Sequence, residues 1–187
     1  YFWETKGKIS ITETSPTGGL IGDARSGCKI INCYVKESNI SSQGYTGGIA
    51  GSVNNGNIIN CFSSLNTITC TSAKCGGFIG YATQSNIINC YKYNISFTST
   101  TDAGQIIGKG ENSSIEHCFS DSRSPLLINE ESGNCNKEPM YYYKAETDNI
   151  FTIVCQRLNQ WVNNQSSTIY AIWVSKNNLP PTFITEQ

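Results

Sequence analysis

The sequence predicts an all-β protein: a right-handed parallel β-helix of about four coils, each 28–29 residues long, with a small α+β C-terminal cap. Three observations lead there. Glycine-led segments begin at Gly18, Gly47, Gly76 and Gly104, spaced 29, 29 and 28 residues. Asn-Cys-aromatic triplets, His-Cys-aromatic in the last copy, place Cys33, Cys61, Cys90 and Cys118 at spacings of 28, 29 and 28. Between these landmarks run short stretches of β-branched and aromatic residues broken by Gly and Asn, which suit strands and show no helical period. One such unit cannot bury its own apolar face and must stack on its neighbours.

The elements follow in order. Residues 1–17, "YFWETKGKISITETSPT", are β-like and enter in mid-coil, so they form an incomplete N-terminal coil or cap. The opening on Tyr1 without a Met predicts a mature product or excised fragment with more chain upstream. Residues 18–124 hold the four coils. In each, a short strand such as Ile49-Ala50 or Phe78-Ile79 lies between glycines, and a polar turn follows. A second strand then carries Ile58-Ile59-Asn60-Cys61-Phe62 or its equivalent, and a looser third strand such as "LNTITC" completes the coil. Three strands and three turns per coil are expected, wound right-handed by the usual chirality of parallel connections. A leucine-rich repeat can share this period, but its L-x-x-L-x-L spacing is absent.

Stacking converts repeated residues into columns. Ile30, Ile58, Ile87 and Ile115 are expected to line the interior, with Cys33, Cys61, Cys90 and Cys118 as a second buried column. Asn32, Asn60, Asn89 and then His117 fall at a corner, where stacked amides can hydrogen-bond along the column. Ile31, Ile59 and Ile88 are expected to point outward, because the fourth coil places Glu116 there and burying an unpaired carboxylate is costly. Tyr34, Phe62, Tyr91 and Phe119 join that outer face. Either strand propensity alone explains them, or they form an apolar stripe that a neighbouring domain or partner covers.

Residues 125–187 read as the cap. Ile150, Phe151, Val154, Leu158 and Trp161 recur at helical spacing, with Thr147 or Asp148 as N-cap. "STIYAIWVS" then reads as a strand and "NNLPPTF" as a turn into a last extended piece. The expected place for this tail is over the last open rung, which is otherwise a bare edge.

These segments resemble the GLUG repeat, a Gly-Leu-any-Gly core followed by an Asn-Cys-Tyr stretch. The cores are Gly19-Leu20-Ile21-Gly22, Gly48-Ile49-Ala50-Gly51 and Gly77-Phe78-Ile79-Gly80; the fourth, Gln105-Ile106-Ile107-Gly108, has lost its first glycine. The resemblance covers about residues 18–120. It implies a β-helical stalk or binding scaffold of large surface proteins of bacteria and protists, and it brings no catalytic residues. The tail is likewise similar to the endings of other GLUG-containing chains.

Composition narrows the function. Charged residues are 14% of the chain, against roughly 25% in ordinary soluble domains. The net charge is −1 and the thirteen Lys and Arg are scattered, which argues against nucleic-acid binding. Apolar runs fall far short of the ~20 residues a bilayer span needs, so no membrane insertion by this segment is expected. Nine cysteines and the sequons at Asn39, Asn94, Asn112 and Asn164 predict a secreted or cell-surface protein, with those asparagines as glycosylation candidates.

Candidate chemistry is sparse. The position after each closing glycine reads Asp23, Ser52, Tyr81 and Lys109, which is no acidic column, and a single histidine cannot build a multi-histidine metal site. His117 beside Cys118 on a strand should face the opposite way. No catalytic residue, metal or cofactor is assigned. Cys70 and Cys75 bracket "TSAK" and are disulfide candidates, as are Cys135 and Cys155 in the tail, whose ring would contribute roughly 3 kcal/mol. Cys28 precedes the column, whose members are expected to be thiols, and an odd count leaves at least one sulfur unpaired within the chain. The function expected is a non-catalytic structural or adhesive module whose partners are other domains of a longer chain, a protein or a glycan. The alternatives are a carbohydrate-binding module using Tyr34, Tyr91, Tyr45 or Tyr81, and a polysaccharide-acting enzyme, the latter by fold analogy alone.

Overall fold

The computed structural model describes residues 3–5, 7–71, 73–99, 103–121, 127–137, 141–142, 150–177 and 179–183. Five parallel sheets run along the solenoid. One stacks Trp3–Thr5, Cys33–Lys36, Phe62–Ser64, Tyr91–Tyr93, Phe119–Ser120 and Tyr141–Tyr142. The next stacks Lys29–Ile31, Asn57–Ile59, Asn86–Ile88, Ser114–Glu116 and Asn136–Lys137. A third holds Ile21–Ala24, Ala50–Asn54, Ile79–Thr83, Ile107–Glu111 and Ile128–Ser132. Four-stranded sheets of Lys8–Ser10, Asn39–Ser42, Thr67–Cys70 and Ser96–Ser99, and of Thr17–Gly18, Thr46–Gly47, Cys75–Gly76 and Ala103–Gly104, complete the wall. The chain is therefore a parallel β-helix of about four turns.

Each full coil has five short strands, where the sequence suggested three. The cause is the corner residues. Asn32, Asn60, Asn89 and His117 sit at φ of 56°, 55°, 52° and 50°, so the chain bends there and the expected strand through Asn60 splits in two. Asn tolerates this left-handed region better than most residues. Two further corners per coil take the same conformation, at Asn55 and Leu65 in the second coil and at Gln84 and Asn94 in the third. The first glycine of each pair ends a two-residue strand of its own, pressed against the next coil. A Cβ added to Gly76 would lie 2.6 Å from Gly108 N and 2.8 Å from Ile106 O.

The expected columns are in register: Ile30, Ile58, Ile87 and Ile115 pair in sequence and are buried, together with Cys33, Cys61, Cys90 and Cys118. Ile59 lies just within the surface while Ile31, Ile88 and Glu116 are half-buried, as an outward column should be. The N-terminal strands Trp3–Thr5 and Lys8–Ser10 pair with Cys33–Val35 and Asn39–Ser41, and so form part of a preceding coil.

The helix α1 spans Ile150–Asn163 and buries Phe151, Val154, Cys155, Leu158 and Val162; its expected caps Thr147 and Asp148 lie outside the described residues. Trp173–Val174 and Thr182–Phe183 form an antiparallel pair. The described tail does not sit over the last rung as expected. It lies along the flank of the solenoid, from the first coil at Asn32 to the third at Asn89. The flank is the larger apolar liability: an aromatic stripe several rungs long needs more cover than one terminal edge.

Candidate binding face

The aromatic stripe was the leading candidate for a binding face. Its outward orientation is as expected, and Tyr34 stacks on Phe62 at 4.5 Å and Phe62 on Tyr91 at 5.3 Å. Phe119 pairs in register with Tyr91. Yet Phe62, Tyr91 and Phe119 are at most 2% exposed, so the stripe is no free binding face. Trp173 lies 5.5 Å edge-on to Tyr91, Phe183 lies 5.7 Å from Phe62, and Phe151 lies 5.1 Å edge-on to Tyr93. The Tyr91 hydroxyl donates to Pro181 O at 2.5 Å. Each buried ring contributes about 1.5–3 kcal/mol by area removed from water, and stacking adds about 0.5–1.5 kcal/mol. The cover comes from the chain's own tail.

The Asn column does more than turn the chain. Asn60 Nδ2 donates to Asn32 Oδ1 at 2.7 Å, and Asn89 Nδ2 donates to Asn60 Oδ1 at 2.8 Å. The remaining valences hold the tail. Asn32 Nδ2 donates to Ile169 O while its Oδ1 accepts from Ala171 N; Asn60 Nδ2 donates to Ala171 O; and Asn89 Nδ2 donates to Leu158 O. Trp173 Nε1 completes Asn60 Oδ1. Sequence reasoning missed this second role, because the repeat gives no sign of its non-repeating partner.

His117 does not continue the ladder. It is exposed, and the buried Asn89 Oδ1 has no donor among the described residues. Its ring faces a cavity of about 410 Å³ that is also lined by Phe119, Arg157, Gln160 and Trp161. Cys118 beside it is fully buried, so the two side chains diverge as expected.

The cysteines divide clearly. Cys70 and Cys75 form the expected disulfide. Cys135 and Cys155 are both free, which corrects the other pairing. Cys135 packs against the solenoid interior, whereas Cys155 lies in the tail cluster and donates to Trp173 O at 3.2 Å. The column cysteines are thiols: Cys33 N and Cys61 N each donate to the sulfur of the following coil at 3.3 Å, and Cys118 Sγ donates to Glu116 O at 3.2 Å. Burial holds the Cys90 thiol well above its usual range, and its neighbours Cys118 and Cys61 act in the same direction.

Two other surfaces carry apolar or aromatic groups. At one end of the stack, a cavity of about 580 Å³ is lined by Leu20, Ile21, Ile30, Ile31, Cys33 and Ile169. On the outer side of the glycine-led strands, Tyr45 stacks on Tyr81 at 5.0 Å, both rings half-buried. Tyr81 OH donates to Glu111 Oε2 at 2.8 Å, and Lys109 Nζ stands 5.9 Å over the Tyr81 ring. Lys109 also pairs with Glu130 at 2.8 Å, which lowers the Glu130 carboxyl and raises the Lys109 ammonium, mainly through their hydrogen bond. Lys74 closes the rim 3.7 Å from Glu130. Stacked half-exposed rings beside paired donors and acceptors suit a flat, hydroxylated or peptide ligand.

Among the described residues no group of three or more His, Cys, Asp or Glu is placed to hold a metal, and no helix is long and apolar enough to cross a membrane. The sequon asparagines Asn39, Asn94, Asn112 and Asn164 are all exposed. Comparison with family models, curated proteins and solved structures found no match to this chain.

Proposed function

We propose that this chain is a non-catalytic structural or adhesive β-helical module of a secreted or cell-surface protein, and that it meets a protein or glycan partner through the Tyr45–Tyr81 face. The observation that supports this most is the half-exposed stacked tyrosine pair with its charged rim. The flank stripe is already occupied, whereas both rings of the Tyr45–Tyr81 pair remain half-exposed. The GLUG-like cores, the Cys70–Cys75 disulfide and four exposed sequons support the surface setting.

A carbohydrate ligand is the more specific version, favoured by Tyr81 carrying a ring face beside Lys109 and Glu111. Glycan-array and cell-surface binding should be measured for the chain and for Tyr81→Ala. Loss of binding by about tenfold or more in the folded variant is expected, the scale of ~1.4 kcal/mol. Binding that survives Tyr81→Ala and Tyr45→Ala together removes this face from the account.

A further inference from the structure

We propose that Lys92 and Gln105 are joined by an intramolecular isopeptide bond, formed with loss of ammonia and assisted by Asp121. Three coil-specific residues converge here. The inward position that holds Val35, Ser63 and Ser120 in the other coils holds Lys92 in the third, only 3% exposed. Opposite it, where three coils have Gly19, Gly48 and Gly77, the fourth has Gln105, 9% exposed. Lys92 Nζ lies 2.8 Å from Gln105 Oε1 and 2.9 Å from Asp121 Oδ1. Asp121 is held in turn by Asn94 N, which donates to its Oδ2 at 2.6 Å.

A buried amine and carboxamide with a half-buried carboxylate within hydrogen-bonding distance are the reagents of an amide exchange. Asp121 takes a proton from Nζ, and the freed amine attacks Gln105 Cδ. The Nζ–Cδ bond forms and Nζ gives up a second proton as the Cδ–Nε2 bond breaks; that proton and the one Asp121 returns both go to the leaving nitrogen, which departs as ammonium. No oxidant or cofactor is required. Fixing the groups in one site supplies the proximity that makes such a step feasible without an enzyme.

Stability of the uncoupled pair does not account for the arrangement. A buried ion pair gives little net gain over the apolar packing that Val35 provides in the first coil. The covalent bond has a clear mechanical use. The second coil's return to the next glycine pair is closed by Cys70–Cys75, and a Lys92–Gln105 link would close a longer loop that contains the equivalent return of the third.

The test is the intact mass of the bacterially expressed, fully reduced chain. A deficit of about 17 Da, the mass of ammonia, is expected, with residues 92 and 105 in one internally looped tryptic peptide, 75–109, that is uncleaved after Lys92. Asp121→Ala should restore the full mass. Gln105→Gly, which reinstates the glycine of the other coils and should fold, should also show full mass and melt at a lower temperature. A full-mass wild-type chain overturns the proposal. So does a deficit of about 18 Da, which would place the link on the Asp121 carboxyl. A deficit that persists in Gln105→Gly overturns it equally.

Discussion

Trp173 Nε1 donates to Asn60 Oδ1 at 2.6 Å, joining the tail to the corner column of the second coil. Asn60 is fully buried and uses its whole side-chain capacity: two donations, to Asn32 Oδ1 and Ala171 O, and two acceptances, from Asn89 and Trp173. Asn60→Ala strands partners on both sides and places alanine in a left-handed corner. At about 1–3 kcal/mol per stranded buried group, a loss of at least ~3 kcal/mol is expected in urea denaturation. Trp173→Phe removes one bond and some volume and should cost less, about 2 kcal/mol. Equal, small effects would mean that the column does not hold the tail.

Thiol labelling reads the same packing. Cys28 and Cys135 are half-buried, whereas Cys33, Cys61, Cys90, Cys118 and Cys155 are buried. Cys28 and Cys135 should therefore label in the native state and the column only on unfolding, with Cys90 held back further because burial raises its thiol. Rapid native labelling of Cys61 or Cys90, mapped by peptide mass, would contradict a closed interior.

Tyr91 makes the docked tail sensitive to high pH. Burial is the main cause that holds its phenol well above the ordinary value of 10.0, and Tyr93 and Cys155 add to the shift. The native state therefore keeps the proton while the unfolded chain releases it. The contribution is complete below about pH 10 and declines as the pH climbs beyond that. Tyr91→Phe loses the bond to Pro181 O and should cost about 1 kcal/mol at neutral pH. Its denaturation midpoint should then fall less steeply than wild type above pH ~10, narrowing the gap. Parallel curves would assign the alkaline loss to other groups.

Gly76 tests the coil-to-coil contact. Its space is closed by the backbone of the next coil, which cannot move as a flexible side chain can. Gly76→Ala should destabilise by several kcal/mol, or prevent folding, whereas Gly27→Ala at the rim meets no atom within 4 Å and is limited to the cost of its positive φ. The comparison of expression and melting temperature separates packing from backbone preference.

What could be read in the sequence was whatever the period fixes. A repeat of 28–29 residues with one strand per face sets register, so Ile58 over Ile87 and Cys61 over Cys90 followed directly. Asn60 announced its corner through the repeated amide column; Leu65 turns one too, at φ 55°, without any local preference, and so the coil was divided into too few strands. The tail could not be placed, since nothing in Trp173 or Phe183 names the face it covers. Periodicity also hides what is unique. The lost glycine at Gln105 was visible as an exception, but its meaning depends on Lys92 thirteen residues earlier and on Asp121 in the next coil.

The end of the Asn column gives the last prediction. Each amide donates back to the preceding coil, Asn60 to Asn32 and Asn89 to Asn60, and the pattern then stops. Asn89 Oδ1 is left buried with no donor among the described residues, while His117, in the equivalent corner at φ 50°, is exposed. An imidazole is wider than an amide and cannot stack in the same plane with a donor on the neighbour's oxygen. His117→Asn keeps a residue that tolerates the corner and supplies an Nδ2 at the ladder spacing. It should therefore satisfy Asn89 and raise stability by about 1 kcal/mol, or a few degrees in melting temperature. His117→Ala, which has no donor and a poorer corner preference, should lower it. If Asn and Ala at 117 behave alike, the ladder contributes nothing beyond its third amide, and the amide chain is a consequence of the corner geometry instead of a source of stability.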